Sequence, residues 1–244
     1  GYYGISSVII DQLNGVPFHG EEEEEEGEEH EDERIFAVTD SSVINIEGEY
    51  FLNGPINSIA YSLRETDSTL TEQHEEHHEE GEEEEEEEEE HGATTFTNNS
   101  EEAQVILDIS NANNEQKLVF NLANSDSSVV KEVGTPSMRP AETTESTIGY
   151  FLGTNFNDLH MDLGIRYDQI NVKGTLLNNS VVTNHDLDFD NLSFSASLNG
   201  SLSNNFEATL GVSNVERAPS SVELLMNGKH TVSYTHLRAH ETIP

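Results

Sequence analysis

Residues 192–212 read LSFSASLNGSLSNNFEATLGV, and their alternation decides the fold class. Leu192, Phe194, Ala196, Leu198 and Leu202 fall on one face, with Ser193, Ser195, Ser197, Asn199 and Ser201 on the other. After a short Asn204-Asn205 turn, Phe206, Ala208, Leu210 and Val212 alternate against Glu207, Thr209, Gly211 and Ser213. A period of two on both sides of an Asn turn is a β-hairpin with one apolar face. The pattern repeats upstream. Leu159, Met161, Leu163, Ile165 and Tyr167 alternate with polar residues, and Ile148, Tyr150, Leu152, Thr154 and Phe156 precede them across Asn157-Asp158. Ala103 to Ile109 pairs naturally with Leu118 to Leu122 through Asn111 to Asn114. Ile44 to Tyr50 and Ile59 to Leu63 flank Asn53-Gly54-Pro55, and a first strand is expected near Tyr2 to Ile10. About nine strands and no convincing helix predict an all-β antiparallel meander.

The connections carry a second regularity. Short turns fall at 53–55, 111–114, 157–158 and 203–205, and long polar connections at about 11–35, 66–95, 125–143 and 171–190. Short turns at one end and long loops at the other are the pattern of a transmembrane β-barrel of the outer-membrane type. The apolar faces then meet lipid, and the Ser, Asn, Glu and Gly faces line a wet lumen. A soluble sandwich or small barrel alternates in the same way, so alternation alone leaves both open.

Charge narrows the possibilities. The 244 residues carry 10 Lys+Arg against 49 Asp+Glu, for a formal net charge of −39. With no Cys there is neither a disulfide nor a thiolate metal site. The acidity argues against nucleic acid, which needs clustered Lys and Arg, and against a basic patch on anionic lipid. No apolar run reaches the length of about 18 residues expected of a membrane-spanning helix. Gly1 is followed by no basic n-region or apolar h-region, so either the protein is not exported or its start lies upstream. Two runs hold much of the charge: 11 acids in His19 to Arg34 (HGEEEEEEGEEHEDER) and 14 in Glu72 to His91 (EQHEEHHEEGEEEEEEEEEH). Removing these 25 acids brings −39 to −14. Like charges repel and bury no apolar surface, so both runs are expected to be disordered loops between ordered segments.

Three segments resemble a known family. Glu216-Arg217-Ala218-Pro219-Ser220-Ser221-Val222-Glu223-Leu224-Leu225-Met226-Asn227-Gly228-Lys229-His230 is similar to a recurrent E-R-A-P…E-L…G-x-H segment of TonB-dependent outer-membrane receptors, in particular their zinc- and metal-importing branch. Gly4-Ile5-Ser6 through Gly15-Val16-Pro17-Phe18-His19-Gly20 resembles an early barrel strand of that branch, and Gly92-Ala93-Thr94-Thr95-Phe96-Thr97-Asn98-Asn99 its G-T-T-F-x-N segment. The resemblance implies a partial transmembrane β-barrel, about nine strands of a larger barrel of roughly 22 strands around a plug. It implies residence in a Gram-negative outer membrane with the acidic loops extracellular, and a TonB complex as partner through a plug domain that these residues do not contain. The barrel segment is read as 1–231. Residues 232–244 (VSYTHLRAHETIP) resemble translated sequencing adapter and are set aside, with His236 and His240.

The metal chemistry rests on the loops. Imidazole nitrogen and carboxylate oxygen both bind Zn²⁺ and other divalent ions. His74, His77 and His78 interleave with Glu75, Glu76, Glu79 and Glu80. His19 and His30 bracket the first run, and His91 closes the second. A flexible run has no fixed coordination geometry, which suits weak, fast capture of a cation above a pore. The plain alternative is solvated, charge-repelling surface. By resemblance, His230 is the candidate for a more ordered site in the vestibule. The expected ligand is therefore zinc or another divalent metal as cargo, or a metal chelate, with no catalytic cofactor. Glu223, Arg217 and Pro219 read as structural, and the isolated His160 and His185 as non-ligands. No G-x-S-x-G, H-E-x-x-H, P-loop or G-x-G-x-x-G occurs, so no enzyme is expected. Two other readings stand beside this one: a secreted acidic all-β protein holding Ca²⁺ or a mineral surface, and a siderophore or cobalamin receptor of the same architecture.

Overall fold

The structure is a computed structural model of the chain. It describes residues 1–16, 35–74, 92–131, 136–178, 181–203 and 206–226. Nine strands run through them: β1 (Tyr2–Val16), β2 (Ile35–Phe51), β3 (Ser58–His74), β4 (Thr94–Asp108), β5 (Asn114–Lys131), β6 (Met138–Phe156), β7 (Leu159–Asn178), β8 (Val181–Ser203) and β9 (Phe206–Asn214). They form one sheet in chain order, every neighbour antiparallel. This is the expected meander and a partial barrel wall. Among the described residues β1 and β9 do not pair, so the sheet is open.

The register sorts the two faces. One row runs Tyr50, Ile59, Leu107, Leu118, Tyr150, Ile165 and Phe194, each opposite the next. The row above runs Tyr61, Val105, Phe120, Ile148, Tyr167 and Leu192. Side chains of these rows are left open by the protein: Tyr50 is 64% exposed, Ile165 50% and Leu192 48%. An apolar band this continuous is no surface for water, and it speaks against a soluble sandwich. On β7 it lasts from Leu159 to Tyr167. At about 3.3 Å per residue that is about 26 Å along the strand, the scale of the lipid-facing band of outer-membrane barrels.

The opposite face is polar in the same rows. Glu47, Ser62, Gln104, Asn121, Thr147, Asp168 and Asn191 stand opposite one another across seven strands. This is the inner face of the wall.

The strands run further than the apolar alternation predicts. The connections expected at 125–143 and 171–190 are largely strand, and strand also enters the one expected at 66–95: β3 reaches His74, β5 reaches Lys131, β6 starts at Met138, and β7 and β8 are separated only by 179–180. Backbone ladders need no lipid-facing side chains, and here the outer face is mostly polar while the inner face carries Val129, Met138, Ala141 and Val172. Above Tyr167 on the outer face, the Asn171 amide donates to Asp186 and Asp188, each at 2.7 Å. The Tyr167 hydroxyl donates to Asp190 at 2.6 Å, which marks where the band meets water. The short turns fall where expected. Gly54 has φ 146°, a conformation a side chain would strain, and Asn157 takes φ 54° in the left-handed region Asn tolerates.

A short helix, α1 (Ser221–Leu225), corrects the expectation of none. Five residues are too few to show a helical period. The capping box that starts it, Ser220 with Glu223, is nonetheless written in the sequence.

Candidate functional site

The strands set both acidic runs on one end of the wall. Val16 pairs with Ile35, and Ile35 pairs with His74. The chain enters the first run after Val16, leaves it before Ile35, and enters the second after His74. The roots of the two runs therefore sit on three adjacent strands in one register row. The connections at 52–57, 109–113, 157–158 and 204–205 lie at the other end.

Of the candidate metal residues, only His74 is placed, at the last position of β3, and its side chain lies outside the described residues. His19, His30, His77, His78, His91 and His230 lie outside the described residues, as do residues 232–244. Among the described residues no group of three or more His, Asp and Glu is placed to hold a metal ion. His160 is bonded to Asn155 at 2.9 Å and to Asp162 at 3.0 Å on the inner face. Asp162 also accepts from Ser197 at 3.0 Å.

Above His160, the inner face carries a charged knot that the loop-centred sequence reading passed over. Arg166 donates from Nε to Asp168 at 2.7 Å and from Nη2 to Glu145 at 3.0 Å. The single hydroxyl proton of Thr147 is shared between Asp168 at 2.6 Å and Glu145 at 3.0 Å. Two acids on one guanidinium leave the knot net negative. Arg166 and Asp168 stand two apart on the polar face of an alternating strand, and that spacing was the available signal. Beside the knot lies a trough lined by Glu102, Gln104, Asn121, Arg166, Ser193 and Ser195, with Val215 at its upper edge.

Val215 belongs to a strap. β9 leaves the wall at Asn214, opposite Phe194, while β8 continues upward to Val181. The departing chain is tied to the β8 edge: the Leu192 amide donates to the Glu216 carboxylate at 2.8 Å, and the Glu216 amide donates to the Ser193 hydroxyl at 3.1 Å. It then crosses the inner face and ends as α1 on β6 and β7. Arg217 grips Glu223 with two bonds of 2.9 Å, and the Ser220 amide donates to the same carboxylate at 2.7 Å. Those bonds, Arg217 first, hold the Glu223 carboxyl at about 2, below its ordinary 4.5. Ser221 shares a hydrogen bond of 2.9 Å with Ser127 on β5. Leu225, 1% exposed, packs with Val129, Met138, Ala141 and Val172 of the inner wall.

Against known proteins, residues 52–240 match the family model described as TonB dependent receptor-like, beta-barrel. No match was found among curated proteins.

Proposed function

The chain belongs to the TonB-dependent receptor-like β-barrel family, and from that premise we propose that it imports a metal cation, zinc first, or a metal chelate. The family-level function is TonB-dependent uptake across the outer membrane, with the apolar band in lipid and the polar face on the transport lumen. In this reading the nine strands are part of a barrel of roughly 22, and a plug domain couples it to the TonB complex. The Glu and His runs face the cell exterior. They concentrate divalent cations at the mouth, and His230 follows as a candidate inner ligand.

One observation carries the metal reading: the register row Val16, Ile35, His74. It roots 25 acids and six histidines (His19, His30, His74, His77, His78 and His91) on adjacent strands at one end of the wall. Clustered negative charge raises the local concentration of cations, and imidazole selects transition metals over Ca²⁺ and Mg²⁺.

The test removes residues 75–91 from the complete receptor, leaving β3 and β4 whole. Zinc uptake at limiting zinc should fall several-fold, and uptake at saturating zinc should not change. Equal uptake at limiting zinc would exclude capture by this run. Uptake of a chelate but not of free zinc would turn the reading to a siderophore-type cargo.

A further inference from the structure

The apolar band on the outer face is notched at its upper edge. Ala103 on β4 stands opposite Leu63 on β3 and Leu122 on β5. Both leucines stand out from the wall, 49% and 62% exposed, and the small alanine between them leaves a gap. The gap belongs to an open groove of about 520 Å³ whose apolar wall is Ile44, Ile46, Leu63, Ala103 and Leu122. The groove ends upward at Glu65, Glu101 and Asn124. Those three residues also line a smaller polar pocket of about 160 Å³, together with Asp67 and Asp126. An apolar slot thus carries an acidic cup on top of it, at the level where the apolar rows stop.

The cup is negative without compensation. Glu65 stands opposite Glu101, and like charges directly opposite in a sheet repel. Asp67 and Asp126 follow one step higher on the same face, on either side of Asn99. Among the described residues none of these four acids is in an ion pair. Arg64, next to Glu65 in the chain, stands opposite Glu102 in the rows of the inner face. The acids are not arranged for a metal either: among the described residues no group of three or more His, Asp and Glu is placed to hold one. Four carboxylates that share a negative potential without a coordination geometry suit an ammonium group. An ammonium joined to an acyl chain satisfies the cup and the slot together.

We propose that this groove docks one phospholipid with an ethanolamine headgroup. Its ammonium sits between Glu65 and Glu101 and donates hydrogen bonds to their carboxylates. One acyl chain runs down β4 between Leu63 and Leu122, covering the apolar wall of the slot. The phosphate, which the acids repel, points away from the wall. The site requires the outer face to lie in lipid and is independent of any cargo.

The experiment uses the complete receptor in nanodiscs of phosphatidylethanolamine and phosphatidylglycerol, in equal parts and with identical acyl chains. Extraction into mild detergent and native mass spectrometry then identify the lipid that stays bound. Phosphatidylethanolamine should be retained about fivefold over phosphatidylglycerol, the scale of one exposed charge pair. Glu65→Gln with Glu101→Gln should abolish that preference. Ala103→Leu, an apolar change that fills the notch, should lower retention of the lipid itself. Asp186→Asn with Asp188→Asn, on the same face of β8 but outside the groove, should change neither. No preference in the parent overturns the proposal, as does a preference that survives Glu65→Gln with Glu101→Gln. An equal loss in the Asp186 and Asp188 variant also overturns it, since the attraction then belongs to the acidic face at large. Phosphatidylglycerol retention that Ca²⁺ raises and a chelator removes overturns it in favour of a metal bridge to phosphate.

Discussion

Leu163→Arg tests the assignment of faces most directly. Leu163 stands opposite Leu152 and Ala196. It is the midpoint of the β7 band that runs from Leu159 to Tyr167. Four residues separate it from either edge, about 13 Å along the strand at about 3.3 Å each. An arginine there cannot easily reach water, and its charge sits near the middle of the hydrocarbon. Arginine at the midplane of an outer-membrane barrel costs about 2–4 kcal/mol, falling to about 0–1 near the interface. That is on the order of 30- to 1,000-fold in the folding equilibrium, at tenfold per 1.4 kcal/mol. Tyr167→Arg, at the upper edge beside Asp190, should therefore cost about 0–1 kcal/mol. Ser197→Arg faces the lumen, where Ser197 bonds Asp162, so its guanidinium meets water and a carboxylate. Its cost should stay within about 0.5 kcal/mol, as for a surface change. The assay is urea unfolding of the complete receptor in lipid vesicles, followed by tryptic protection of the barrel. The order Leu163→Arg, Tyr167→Arg, Ser197→Arg should hold. If Ser197→Arg proves costlier than Leu163→Arg, the faces are reversed and the membrane argument fails.

Other outcomes follow from the same geometry. Replacing His74, His77 and His78 with Asn keeps the acids of the second run, so zinc uptake at limiting zinc should fall while Ca²⁺ binding to the cell surface holds; equal losses would show that imidazole adds nothing. Leu225→Ala removes the residue filling a socket in the inner wall and should cost about 2 kcal/mol, the low end for such truncations because the socket opens to the lumen. Faster maleimide labelling of Val172→Cys reads this loss. The strap should also resist acid. Its Glu223 carboxyl titrates at about 2 in place of 4.5, so its contribution is complete above about pH 4.5 and is lost as pH falls through about 2. Val172→Cys labelling in vesicles, expressed relative to a free cysteine peptide at the same pH to remove the fall in thiolate fraction, should stay flat from pH 7 to 4, whereas in Glu223→Gln it should be faster throughout. Arg217 is well exposed, so high salt should screen that pair and weaken it.

The sequence displayed some of this openly. The hairpin at 192–212 gave its register, since Leu198 faces Leu210 and Ala196 faces Val212 as the alternation required. The turns at Gly54 and Asn157 were legible because left-handed backbone favours those residue types. The upper halves of β3 to β8 were not. Thr66 to Thr71 holds a single apolar residue, Leu70, and in Asp186 to Asp190 the apolar Leu187 and Phe189 alternate on the inner face, out of phase with the lipid band, so a reading keyed to one apolar face ends the strand where the band ends. The helix escaped for a different reason. Its start signal was present in Ser220 and Glu223, but its packing depends on a socket built from Ala141 and Gly174 on other strands, which local sequence cannot display. Arg166 lay open to the period-two argument, yet its two carboxylate partners come from different strands, and only the register of β6 with β7 brings Glu145 within reach.

The register also changes what the net charge of −39 means. Spread evenly, that charge would repel itself across the whole molecule and weaken any fold. It is instead divided by the direction of the strands. The four connections at the end away from the runs (52–57, 109–113, 157–158 and 204–205) contain a single charged residue, Asp158, while the two runs rooted at Val16, Ile35 and His74 contain 25 acids. At physiological salt a charge is felt over about 8 Å, so the runs act on each other and on passing ions but not on the opposite end. Within the wall, the remaining charge is largely balanced where it is least hydrated, as Arg166 is between Asp168 and Glu145. A strongly acidic chain can therefore cross a lipid band, because its ladder keeps the charge above the band or on the wet side of it. The same separation leaves one mouth of the wall far more negative than the other, so cations gather at the end from which the strap also descends.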